Sequence, residues 1–147
     1  MFDNDLKNIK NLINVKNINE IKNLEGLIKT LNQYAENNNS EAQYLLGQIH
    51  YKSSPKNLNQ AIEWFNKAAK QGNIDAQYQL AIIILYEVGT YQDRKRAFRL
   101  LLSAAGRGNS KAQSFLGYSF FEGDWIKQNY KKSLLWLTKS AAQGDAH

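Results

Sequence analysis

The 147-residue sequence predicts an all-α fold, a solenoid of stacked helix pairs, and three features carry that expectation. The first is self-similarity. Asn109 to Gly144, shifted back by 36 residues, lands on Asn73 to Gly108, with Ala112-Gln113 on Ala76-Gln77, Leu116 on Leu80 and Ala141 on Ala105. A further shift reaches Asn39 to Gly72, a copy two residues shorter between its halves. A fixed period of this size marks a stack of supersecondary units. The second feature is punctuation. Each first half opens on an asparagine (Asn39, Asn73, Asn109), a good helix cap. Each second half has its own cap (Asn57, Asp93, Asn129) and closes on Gly72, Gly108 or Gly144, where a helix can stop at positive φ. The third is the set of small residues. Ala42, Gly47, Ala61 and Ala68 sit where two helices would cross closely, with Trp64 or Trp136 expected to fill the space beside them.

Taken in order, residues 1 to 38 lack those small residues, since Asn8, Ile13 and Leu27 replace Ala42, Gly47 and Ala61. Asp5 and Asn23 nevertheless stand 34 residues before Asn39 and Asn57, so helices are expected near 5 to 16 and 23 to 36. The segment reads as a degenerate capping repeat, because terminal units of a solenoid have one face in water. A flexible leader, mainly residues 1 to 18, is the alternative. Helices follow at 40 to 52 and 57 to 71, broken by Pro55, which pushes Ser54 out of helical geometry. The next pair is 74 to 87 and 94 to 106. Its first helix, through Leu80, Ala81, Ile82, Ile83, Ile84 and Leu85, is apolar on most sides, so it is either the centre of the stack or a binding surface. The last pair is 110 to 122 and 130 to 143. The whole forms one domain: a capping repeat at 5–38, then repeats at 39–72, 73–108 and 109–144.

The pattern A-Q-x-x-L-G, a cap, then A-x-x-W-x-x-K-A-A-x-x-G resembles the Sel-1-like repeat, a relative of the tetratricopeptide repeat. Ala42-Gln43, Leu46-Gly47, Ala61, Trp64, Lys67-Ala68-Ala69 and Gly72 carry it in the first copy. Ala112-Gln113, Leu116-Gly117, Gly123, Trp136, Lys139, Ala141 and Gly144 carry it in the third. The middle copy departs, with Ala81, Leu100 and Glu87 in place of glycine, tryptophan and the inter-helix glycine. The resemblance implies a right-handed α-α superhelix that binds proteins and has no chemistry of its own.

Composition narrows the function. There is no cysteine, so disulfides and thiolate metal sites are out, in keeping with a reducing compartment. The start, MFDNDLKNIK, has no apolar run or cleavage pattern of a signal peptide, and no stretch is long enough to span a bilayer. Cytoplasmic location is the expectation. Heavy use of Asn, Lys and Ile points to AT-rich coding and a bacterium. The net charge of +6 arises as +2 in each of residues 40–72, 73–108 and 109–147, with residues 1–39 neutral. Such even spread fits solvated lysines better than a nucleic-acid track, and a nucleic-acid reading would predict affinity that collapses with salt. Catalysis has little to draw on. His50 reads as a structural histidine, His147 is terminal, and the carboxylates Glu63, Glu87 and Glu122 are scattered. No catalytic residue, metal ligand or cofactor is expected.

Binding has more to draw on. Helical-pair solenoids line their concave side with first helices, which places Tyr44, Gln48, Lys52, Tyr78, Ile82, Tyr86, Ser114, Tyr118 and Glu122 in a groove for a partner protein. Aromatics with few charges between them are what interface cores select. Tyr51, Leu85 and Phe121 divide between groove and core. The expected function is therefore non-enzymatic protein binding, in a narrower version as an inhibitor or immunity protein of a cognate toxin or effector. An adaptor, scaffold or regulator is the alternative. Finally, Phe115, Leu116, Phe120, Phe121, Leu134, Leu135, Trp136 and Leu137 give the last pair more apolar surface than it can bury alone. A two-fold end-to-end homodimer through the C-terminal repeat is one expectation, and simple inward packing is the other.

Overall fold

The computed structural model describes residues 2–15 and 17–144, and the secondary structure of these residues is helical, without a strand. The helices are α1 (Phe2–Val15), α2 (Leu24–Glu36), α3 (Ser40–Lys52), α4 (Leu58–Lys70), α5 (Ile74–Ile83), α6 (Tyr91–Gly106), α7 (Ser110–Glu122) and α8 (Tyr130–Ala142). They fall into two compact units, Met1–Ala76 and Gln77–His147.

The asparagines act as expected. Asn39, Asn57, Asn109 and Asn129 accept from the backbone N–H three residues on, at 2.9, 3.2, 2.8 and 3.0 Å, and Asn73 accepts from Ala76 N at 2.9 Å. Each bond satisfies one orphan donor of a helix start. Gly72, Gly108 and Gly144 stand at φ of 89, 101 and 77°, in the left-handed region that a side chain would strain.

In the first unit, α3 is flanked by α1, α2 and α4. With neighbours on three sides, every residue from Ala42 to Ile49 is buried. Leu6, Ile9, Ile13 and Ile18 are buried too. Two expected boundaries change there. Asp5 lies inside α1 instead of capping it, and Asn23, at φ 59°, makes no side-chain cap on α2. A 3-10 turn at Ile18–Glu20, capped by Asn17, joins them.

The Ala-Gln pair has a structural cause. Gln43 Nε2 donates to the Ala35 carbonyl at 3.1 Å, at the end of α2, and its Oε1 accepts from Gln71 Nε2 at 2.8 Å, just past α4. Gln113 repeats the arrangement in the second unit, bonding the Ala105 carbonyl at 3.0 Å and Gln143 at 2.8 Å. One buried amide thus ties the end of the preceding helix to the end of the helix that closes the pair. Hydrogen-bonding both ends removes the penalty of burying the amide.

The tryptophans do not fill the crossing points. A methyl on Gly47 would stand 2.6 Å from the Phe65 ring, and one on Gly117 would stand 2.5 Å from Leu137 Cγ. The neighbours Trp64 and Trp136 are half-buried, with Lys67 and Lys139 ammonium groups 4.6 and 5.1 Å from their ring centres. One residue along a helix is about 100° of rotation, enough to exchange a core position for a flank.

In the second unit the middle copy departs from its template. After Ile83 the chain makes a π turn, Ile84–Val88, closed by Gly89 N to Ile84 O at 2.8 Å with Gly89 at φ 70°. The glycine missing at Glu87 therefore reappears two residues later. The next helix starts three residues earlier than expected, capped by Thr90, and Asp93 sits in its first turn bonded back to the Thr90 hydroxyl. Residues that form the α7–α8 loop in the last copy are here absorbed into the two helices. Leu80, Ala81, Ile83, Ile84 and Leu85 are buried, so the apolar helix is core rather than binding surface.

Candidate interaction surface

The nine residues expected to face a partner separate by environment. Tyr44 and Gln48 are buried, joined through the Tyr44 hydroxyl and Gln48 Nε2. They are corrected to core residues, because α3 is covered on three sides. Burial pushes the Tyr44 phenol well above its ordinary range, and the Asp75 carboxylate adds to the shift, so it stays protonated. Partial burial lowers the His50 imidazole below its ordinary value. Lys52 is exposed, and Tyr78 and Ile82 are half-buried. Ser114 is turned inward, its hydroxyl 2.5 Å from Ser140 Oγ on α8, and is likewise corrected from partner contact to helix–helix contact. Tyr86 is exposed, but its ring meets Phe115 and Trp125 edge-on at 6.5 and 5.6 Å.

Tyr118 and Glu122 are exposed, and beside them stand Phe121, which the sequence left between groove and core, and Tyr130. α7 is held by α6 on one side and α8 on the other. Its open face carries Tyr118 and Phe121, 59% and 49% exposed. Three residues apart on a helix, they are surface neighbours. Tyr130, 63% exposed at the start of α8, lies with its ring centre 5.7 Å from Phe121. Gln128 holds this corner, donating from Nε2 to the Phe121 carbonyl at 2.8 Å and to the Tyr130 hydroxyl at 2.9 Å. Sequence reasoning missed Tyr130 because it considered only first helices as lining. The Phe121–Tyr130 juxtaposition is made by the loop between α7 and α8, whose course no local pattern encodes.

The C-terminal apolar set is smaller than expected. Leu116 and Phe120 are buried, and Phe115, Trp136 and Leu137 are half-buried. Leu134 and Leu135 are exposed on α8, beside Lys131, Lys132 and Lys139. His147 lies outside the described residues. Among the described residues, no three His, Asp or Glu side chains gather as a metal site would need, and no helix is long and apolar enough to cross a membrane.

Comparison with known proteins agrees with this architecture. A crystal structure of a Sel1 repeat protein from Oxalobacter formigenes is 29% identical, with a TM-score of 0.72 over 79% of this chain and 90% of that one. A protective antigen of uropathogenic Escherichia coli that displays an SLR fold is 32% identical, with a TM-score of 0.73. That alignment covers 80% of this chain but 26% of the antigen. No curated protein sequence gives a significant match. The Sel1 repeat pattern itself matches residues 40–73, 74–109 and 110–145 in succession. The chain belongs to the Sel1 repeat family, whose helix-pair repeats serve as protein–protein interaction modules.

Proposed function

We propose that this chain binds another protein on the open face of α7, with Tyr118, Phe121 and Tyr130 as anchors and Glu122 at the rim. The observation that supports this most is the aromatic cluster itself: three large side chains, 49 to 63% exposed, on packed helices. Tyrosine offers a large contact area and a hydroxyl at little cost in rotamer entropy, which is why interfaces use it. The Gln128 bonds hold the Tyr130 ring in place before any partner arrives. Tyr118→Ala and Tyr130→Ala are expected to leave the melting temperature within a degree or two. Each should weaken partner binding by about 1–3 kcal/mol, the range of interface hot spots. Calorimetry with the purified partner checks this. Unchanged affinity in both variants would move the site elsewhere.

A second reading, self-association through α8, rests on Leu135. It is 52% exposed at a place where the other copies carry Glu63 and Arg99. A two-fold contact there would bring Lys131, Lys132 and Lys139 of both copies close together, so the dimer should strengthen as salt screens their repulsion. Sedimentation velocity at micromolar concentrations in low and high salt measures it. A monomer under both conditions, unaltered by Leu135→Glu, excludes the dimer.

A further inference from the structure

A second surface lies in the same unit, between α6 and the loop that follows α7. The two enclose a cleft of about 520 Å3. Three cations, Arg94, Lys95 and Arg99, stand at its edge, and Phe98, Leu102 and Ile126 supply apolar wall. Leu102 is 44% exposed, so the apolar wall is open to an incoming side chain. The Arg94 guanidinium lies 5.3 Å from the Trp125 ring centre, and the Lys95 ammonium lies 5.2 Å from that of Tyr91. Tyr86 closes the other approach to Trp125, edge-on at 5.6 Å.

Positive charge is in excess here. Among the described residues no carboxylate pairs with Arg94, Lys95 or Arg99. The nearest carboxylate on their own helix, Asp93, accepts from the neutral Thr90 hydroxyl and offsets one of the three charges. Asp124, beside Trp125, is exposed to solvent. The positive end of α6 adds to the field in its first turn, where Arg94 stands. Cations held against aromatic faces lose little conformational freedom when a counter-charge arrives.

We propose that this cleft receives a short acidic peptide segment of a partner protein, with carboxylates on Arg94, Lys95 and Arg99 and one apolar side chain between Leu102 and Ile126. The geometry favours a peptide over nucleic acid on two grounds. Two rings that line the cleft, Tyr91 and Trp125, already carry a cation near the face, which leaves them poor platforms for base stacking. Arg94 to Arg99 spans only about 8 Å of helix axis, room for two or three carboxylates. A single-strand track covers about 4–16 nucleotides. The proposal is independent of the α7 face and can fail without it.

The test is fluorescence anisotropy with a labelled peptide in which four glutamates surround one phenylalanine. Saturable binding is expected, weakening by about tenfold as NaCl rises from about 0.05 to about 0.3 M. The double variant Arg94→Gln, Arg99→Gln should lose at least about tenfold, because charge-assisted contacts carry the affinity. If its melting curve shows it is not folded, Arg99→Gln alone should still lose several-fold. Lys70→Gln and Lys111→Gln on other surfaces, and Tyr118→Ala on α7, should change nothing. Replacing the peptide's phenylalanine by serine should weaken binding several-fold. Absence of saturable binding up to about 1 mM peptide, the weak end of measurable affinity, overturns the proposal. So does a double variant that binds like the parent, or a thymidine oligonucleotide of equal charge that binds more tightly than the peptide.

Discussion

Phe65→Ala is expected to destabilise the chain by about 3–5 kcal/mol, the cost of emptying a well-packed aromatic site. Phe65 is 1% exposed, its ring lying against Gly47 and 5.8 Å from the Tyr44 ring centre at a 45° tilt. Trp64→Ala, one residue away, should cost only about 1 kcal/mol, the typical effect of a partly exposed position. Thermal and urea unfolding followed by circular dichroism measures both. A Trp64 variant that loses as much as the Phe65 variant would mean that the core contact has been assigned to the wrong ring. Gly47→Ala gives a further check, since its new methyl would press on the same ring and cost about 1–3 kcal/mol. In the Phe65→Ala background that methyl has a void to occupy, so the double variant should be less unstable than the two losses added together.

Gly117→Val should cost about 3 kcal/mol, at the upper end for overpacking. The constraint differs in kind from that at Gly47. There the obstacle is a ring at the end of a side chain. At Gly117 a Cβ would stand 2.5 Å from Leu137 Cγ, so that side chain must shift, and 3.2 Å from the Leu137 backbone nitrogen, so α8 must also give by a few tenths of an ångström. Gly117→Ala should be much milder, about 1 kcal/mol, because a small separation of the helices admits one methyl but not three carbons. Ala81 occupies the equivalent position in the second copy and is fully buried there. The expected order of melting temperatures is parent, Gly117→Ala, then Gly117→Val. A valine variant as stable as the parent would show that the helices are not in close approach at this point.

The sequence by itself determined the helix pairs, their period and most of their ends. Those features rest on contacts within a few residues. An asparagine side chain reaches the N–H three positions on, and a glycine accepts a left-handed φ, wherever the helix is placed. The small residues of the crossing points were legible for the same reason, since a repeated Ala or Gly in an apolar stripe leaves few other uses. The exceptions at Asp5 and Thr90 come from the same local rules. Several residues near each start could cap, and helix lengths set by packing selected among them.

Only the tertiary structure decided which side of a helix meets what. Gln48 and Tyr118 occupy equivalent places in their repeats, yet one is 6% and the other 59% exposed. The cause is the number of neighbours: α3 is enclosed by α1, α2 and α4, whereas α7 is gripped by α6 and α8 and keeps an open face. The choice of Phe65 over Trp64 at the Gly47 crossing follows from a rotation of about 100° between successive residues, fixed by how the two helices dock. The meeting of Phe121 with Tyr130, and of Trp125 with Arg94, depends on the course of one loop across nine residues or more of chain separation. A repeat pattern records what every copy shares. The candidate binding surfaces lie where the copies differ, and there the neighbours, set by packing of the whole unit, determine what reaches the solvent.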